Sequence, residues 1–122
     1  VSGTTVSALP LEGKPFVESY GEGRFRIAGI QVEGSVIIRP DGVAPWDARE
    51  ASAETLAAVG TGSGILVVGR GSRFSAPPPG LRETLKARGW VLEWMDTGAA
   101  CRTFNLLLSE DRPCAAALIA VE

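Results

Sequence analysis

Ile65-Leu66-Val67-Val68-Gly69-Arg70-Gly71, followed by Trp90-Val91-Leu92-Glu93-Trp94-Met95-Asp96-Thr97-Gly98, decides the fold. The first stretch is an unbroken apolar run closed by a Gly-rich loop, the pattern of a strand covered on both faces. The second is another short strand that runs into a helix cap at Asp96 or Thr97. Between them, Pro77-Pro78-Pro79 gives a rigid lead-in to a helix with Leu81 and Leu85 one turn apart, closed by Gly89. Beyond them, Ala100, Cys101, Phe104, Leu107 and Leu108 share one face of a further helix. Cys114 to Val121 is Ala-rich enough for a helix, but Pro113 and the turn-like Ser109-Glu110-Asp111 favour a final buried strand. Upstream, Ser52 is placed to cap a short helix through Val59, with Glu54 in its first turn and Gly60 past its end. Gly60-Thr61-Gly62-Ser63-Gly64 then turns into the strand. Strands alternating with helices predict a largely parallel sheet with right-handed crossovers.

The first third of the chain follows a different pattern. Phe16 to Tyr20, Arg24 to Ala28, Gln31 to Glu33 and Ser35 to Arg39 read as short strands. Gly21-Glu22-Gly23, Gly29, Gly34 and Pro40-Asp41-Gly42 separate them, which makes an antiparallel meander. Residues 1–13 mix Ser, Thr, Gly and Pro without periodicity and are expected to form a loosely ordered arm. Residues 14–122 are expected to form a single α/β domain.

Composition sets the limits on chemistry. At 122 residues, 45% apolar and 21% charged, the chain is an ordinary globular domain that needs no metal or disulfide staple. It contains no histidine. That removes Ser-His-Asp and Cys-His nucleophile pairs, HExxH zinc sites and imidazole acid–base catalysis. A net charge of −2, with ten Arg and two Lys scattered without a run, argues against nucleic acid as a partner. Cys101 and Cys114 form no CxxC pair, so no metal and no cofactor are expected, and buried free thiols of a reducing compartment are favoured. No apolar run approaches the roughly 20 residues of a membrane-spanning helix. Val1-Ser2-Gly3-Thr4-Thr5 shows no signal-peptide pattern. Oligomeric state is left open.

Ligands of open α/β sheets favour the crevice beyond the carboxyl ends of the parallel strands. If the two quoted strands are neighbours, Gly69-Arg70-Gly71 and Asp96-Thr97-Gly98 open on one such crevice. There the glycines expose backbone N–H groups and a helix points its positive end. Arg102 falls early in that helix, where the macrodipole disfavours a cation, so either an ion pair with Asp96 or a bound anion would offset it. Asn105 lies beside Arg102 and either shares the ligand or tethers a loop. Trp46 lines the crevice or fills the core. Cys101, near a helix start but on its apolar face, reads as a packed thiol more than as a nucleophile. The candidate ligand-binding set is therefore Gly69, Arg70, Gly71, Asp96, Thr97, Arg102, Asn105 and Trp46, with no catalytic residue assigned.

The string Asp96-Thr97-Gly98-Ala99-Ala100-Cys101-Arg102-Thr103-Phe104-Asn105 resembles the signature of domain-of-unknown-function family 498. This family includes the adipogenesis-associated domain protein and the third assembly factor of mitochondrial complex I. The resemblance extends from about Phe16 to Val121, through Tyr20-Gly21-Glu22-Gly23-Arg24-Phe25, Gly34-Ser35-Val36 with Trp46, and the Gly69 loop. It implies a three-layer α/β fold with a mixed central sheet and an extra β layer. It also implies a non-catalytic interaction or assembly module that assists assembly or insertion of a respiratory, complex I-like membrane complex, with protein partners of that pathway, and, as the chain shows no mitochondrial presequence, a bacterial cytoplasmic member is expected. Members often carry Gly-Thr-Gly where this chain has Gly69-Arg70-Gly71, and Arg70 facing Arg102 would strengthen an anion site. The competing expectation is a small-molecule-binding protein or enzyme acting on an anion in the crevice, with Asp96 available as acid or base.

Overall fold

In the computed structural model, the described residues are 13–48, 52, 55–56, 59, 63–73 and 75–122. The glycine-punctuated first third forms β1 (Val17–Gly21), β2 (Arg24–Ile27) and β3 (Ile30–Glu33), a three-stranded antiparallel sheet. Its hairpins are tight. Ile27 pairs with Ile30 across Ala28-Gly29, and both turn residues have positive φ, the geometry that matches strand twist.

The chain then leaves this sheet. The expected fourth meander strand, β4 (Val36–Arg39), instead joins β5 (Gly42–Pro45) as a hairpin of the main sheet. The sequence reading names no strand after the Pro40-Asp41-Gly42 turn, whereas β5 follows it directly and ends in Pro45. An edge strand tolerates that proline, since no further neighbour needs its N–H.

The main sheet has order β5-β4-β8-β6-β7, with β6 (Gly64–Gly69), β7 (Trp90–Met95) and β8 (Cys114–Leu118) parallel to one another. The antiparallel pairing of β4 with β8 makes the sheet mixed. Two helices cross over between the parallel strands, α1 (Leu81–Ala87) and α2 (Thr97–Ser109). The chain steps from β6 outward to β7, then back past β6 to β8. Crossovers of one hand must then lie on opposite faces, and they do. Leu81 and Leu85 of α1 pack with Leu66, Val68, Trp90, Leu92 and Trp94 on one face of the sheet. On the other, α2 packs Ala100, Cys101, Phe104, Leu107 and Leu108 with Val67, Ala116 and Leu118.

The three-stranded sheet adds Val17, Phe25 and Ile27 to this second core, giving three layers: α2 with the small sheet, the main sheet, and α1. β8 is a strand despite its alanines. Flanked by β4 and β6, it is buried at all five positions, and small side chains let both covering layers approach. Of the expected Ser52–Val59 helix, residues 53, 54, 57 and 58 lie outside the described residues, as do residues 60–62 of the Gly-rich turn and residues 1–12 of the arm. At its start, Thr55 N–H donates to Ser52 Oγ at 3.2 Å and Leu56 N–H to Ser52 C=O at 2.9 Å, the hydrogen bonds of a serine cap.

Candidate functional site

Gly69 and Met95 are paired in register, so the carboxyl ends of β6 and β7 lie side by side and their loops meet. The chain leaves β6 toward one face of the sheet and β7 toward the other, the topology that opens a crevice. Hydrogen bonds close much of it. Thr97 is fully buried; its Oγ1 accepts from Gly71 N–H at 3.0 Å and donates to Ile119 C=O at 2.7 Å. Thr97 N–H donates to Gly71 C=O at 2.8 Å, and Arg70 N–H to Met95 C=O at 2.8 Å. Ile119 N–H donates to Gly69 C=O at 2.9 Å, so the ends of all three parallel strands are tied together through Thr97 and Gly69. Gly69 is required by space: a Cβ there would sit 2.9 Å from Thr97 Cα.

Asp96 caps α2, its Oδ1 accepting from Ala99 N–H at 2.9 Å. The capping carboxylate complements the partial positive charge of the helix start. Above it a cavity of about 340 Å³ is lined by Tyr20, Gly71, Ser72, Asp96, Gly98, Val121 and Glu122. Two of the expected residues, Gly71 and Asp96, reach it. Tyr20 reaches it from β1, its ring lying so close over Gly98 that a Cβ on Gly98 would be 2.7 Å from Tyr20 Oη. Nothing in the local pattern of β1 signals this placement, although Tyr20 opens one of the blocks in which the family resemblance lies. The charged side chains on this wall, Asp96 and Glu122, are both acidic, so the wall suits a cation or neutral hydrogen-bonding groups better than an anion.

The remaining expected residues do not converge here. Asn105 is a tether: Nδ2 donates to Val17 C=O and Oδ1 accepts from Val17 N–H, both at 2.9 Å. Trp46 is half-buried against the core on the α1 side, and its backbone N–H donates to Ser35 C=O at 3.0 Å. Arg102 is exposed on α2 and forms no ion pair with Asp96. Arg70 lies over the Trp94 ring, 5.1 Å from its centroid, on the α1 side of the sheet. Arg70 and Arg102 are therefore carried on opposite faces and do not form a shared anion clamp.

Cys101 is buried in the α2 core, and burial pushes its thiol up to about 12; Arg102 lowers it by less, and Asp96 adds to the rise. Cys114 is pushed up for the same reason. Both are free, protonated, packed thiols. Among the described residues no cluster of three His, Cys, Asp or Glu side chains is placed to hold a metal ion. No helix among them is long and apolar enough to cross a membrane.

Residues 17–119 match the model of DUF498, described as a protein of unknown function (DUF498/DUF598). An uncharacterized protein of Rhodobacter capsulatus is 38% identical over 112 residues, covering 92% of this chain and 85% of that protein. NADH dehydrogenase [ubiquinone] 1 alpha subcomplex assembly factor 3 of Xenopus tropicalis is 35% identical over 124 residues, covering 95% of this chain and 68% of the factor. Among solved structures, the crystal structure of an outer membrane protein from Bartonella henselae superposes with a TM-score of 0.76 at 34% identity, covering 90% of this chain and 98% of that one.

Proposed function

The chain belongs to the DUF498 family, and from that premise we propose that it is a non-catalytic interaction module that assists assembly of a complex I-like respiratory membrane complex. Its relatives include proteins named as assembly factors of NADH dehydrogenase. One structural observation supports the reading: three polar side chains of the family-like string hydrogen-bond within the fold itself, while Arg102 stays exposed. Asp96 is taken by Ala99 N–H, Thr97 by Gly71 and Ile119, and Asn105 by Val17. A string used this way preserves a shape for recognition. Turnover would instead call for free acid, base or nucleophile groups converging on a reacting atom.

The proposed compartment is the bacterial cytoplasm, which fractionation of the native host tests directly. For the function, the gene is deleted in that host and membrane complexes are resolved on native gels stained for NADH dehydrogenase activity. The expected result is a lowered level of the complete complex with accumulation of smaller subassemblies, restored by the wild-type chain. A complete complex at normal level in the deletion strain overturns the proposal.

A further inference from the structure

Arg70 is held in an unusual way. It leaves the end of β6 on the side of the sheet that α1 covers, and its guanidinium lies over the Trp94 ring, 5.1 Å from the centroid. Its Nε and Nη1 are shut off from solvent and donate to nothing, and it makes no ion pair among the described residues. The residue is nonetheless partly exposed, and Nη2 is not among its solvent-excluded nitrogens. Leaving donors of a buried cation unpaired is costly, and stacking on one ring returns only part of the loss. An arginine that only filled space here would be better replaced by an apolar residue.

The support beneath it is rigid. Trp94 is 8% exposed, and its Nε1 donates to Ser75 C=O at 2.5 Å. Two residues after Ser75 the chain enters Pro77-Pro78-Pro79, whose backbone has little freedom to lose. The guanidinium is therefore already oriented before a partner arrives, which removes much of the entropic penalty of binding. This cation has no counter-charge among the described residues, and its one solvent-reachable nitrogen, Nη2, can donate to a carboxylate oxygen that supplies one. Arg73, exposed on the same loop and without an acidic partner among the described residues, adds a second positive charge. Arg70 does not line the cavity at the start of α2, so its outer edge is met from the surface. A free small anion would gain one contact there in open water, whereas a carboxylate carried on a polypeptide adds the contacts of its neighbours. Arg and Trp together are also the side chains that dominate protein–protein binding energy.

We infer that Arg70, propped on Trp94, is the anchor point for a carboxylate side chain in an acidic segment of a partner protein. This rests on the reading of the chain as an assembly module and names the chemistry of one of its contacts.

The test uses the purified full chain and a fluorescein-labelled decapeptide of alternating Glu and Gly, with the Gln version as control. Anisotropy titrations compare the wild type with Arg70→Met and Arg70→Lys. The wild type should bind the Glu peptide, Arg70→Met should weaken binding at least about tenfold, and Arg70→Lys should fall between, because lysine keeps the charge but cannot lie flat on the Trp94 ring. The Gln peptide should bind no better than the Glu peptide binds Arg70→Met. Melting of Arg70→Met at or above the wild-type temperature shows that the variant is folded and that the arginine had no internal partner to lose. Failure of the wild type to bind, equal binding by Arg70→Met, or full displacement of the peptide by equimolar phosphate each overturns the inference. In the deletion host, Arg70→Met should fail to restore the complex. A defect fully restored by Arg70→Met overturns the role of Arg70. A deletion without defect overturns the assembly reading, while the peptide titration still judges Arg70 by itself.

Discussion

Asn105 of α2 and Val17 of β1 exchange two hydrogen bonds, Oδ1 accepting from Val17 N–H and Nδ2 donating to Val17 C=O, each at 2.9 Å. β1 is an edge strand, and its register with β2 shifts just after Val17. The asparagine amide therefore supplies the donor and acceptor that a neighbouring strand would otherwise provide. Together with the packing of Val17, Phe25 and Ile27 on α2, this side chain fixes the small sheet on the helix that leads away from the cavity, so Tyr20, three residues along β1, keeps its place over Gly98.

Replacing Asn105 by Ala strands both backbone groups of Val17 in a partly buried place. The expected loss is about 2 kcal/mol, read as a lower urea midpoint with unchanged slope. Asn105→Asp should also destabilise near neutral pH, because a carboxylate can accept from Val17 N–H but faces Val17 C=O with no proton to give. A midpoint equal to wild type in both variants would mean that the amide contributes nothing to docking the sheet.

Thr97 allows a sharper test because two of its substitutions separate shape from hydrogen bonding. Thr97→Val keeps the volume but leaves Gly71 N–H and Ile119 C=O, now bonded to Oγ1, without partners in a fully buried site. It should cost about 2–4 kcal/mol. Thr97→Ser keeps the hydroxyl and drops one methyl, at about 1 kcal/mol. Chemical denaturation of the pair checks the order; a valine variant as stable as the serine variant refutes the account of how the three strand ends are tied.

These two residues also mark how far the sequence could be read. The mixed α/β architecture, the Leu81 and Leu85 face, the apolar face of α2 and the terminal strand were legible, because burial imposes a period that a few residues reveal. The cap at Asp96 was legible for the same local reason: its partner, Ala99, is three residues away. What was not legible depends on contacts distant in the chain. β4 leaves the meander because β8, at the other end of the chain, offers it a better-covered edge. Arg70 and Arg102 look like partners along the sequence, yet the loop after β6 and helix α2 that carry them lie on opposite faces once the crossovers reverse direction. Asn105 was recognised as a tether or a ligand group, and only the position of Val17 decides between them.

The β2–β3 hairpin offers a stabilising change. Ala28 sits at φ 48° in the two-residue turn Ala28-Gly29, a left-handed conformation that strains an alanine. Asn-Gly is the favoured pair for such a turn. Ala28→Asn should therefore raise stability by about 0.5–1 kcal/mol, visible as a rise of a few degrees in Tm. A fall in Tm would show that the alanine methyl packs on the core more than the turn geometry costs.

The buried thiols set a pH dependence whose sign follows from burial. Cys101 is raised from 9.0 to about 12 in the folded chain by desolvation, so the fold favours the protonated form. Below about pH 9 the thiol is protonated in both states and contributes no slope. Above it the unfolded chain ionises while the folded chain does not, so stability falls as pH rises toward the folded value, by up to about 1.4 kcal/mol per pH unit. Cys114, raised in the same direction, adds to the slope. Urea midpoints at pH 7, 9 and 10.5 should therefore decline faster for the wild type than for Cys101→Ala. The alanine variant starts less stable through its lost sulfur contacts, and the gap narrows as the pH climbs. Thiol reagents at pH 8 should leave both cysteines unmodified until denaturant is added. Parallel pH profiles, or rapid labelling of the native protein, would mean that Cys101 is open to solvent and not a packed core residue.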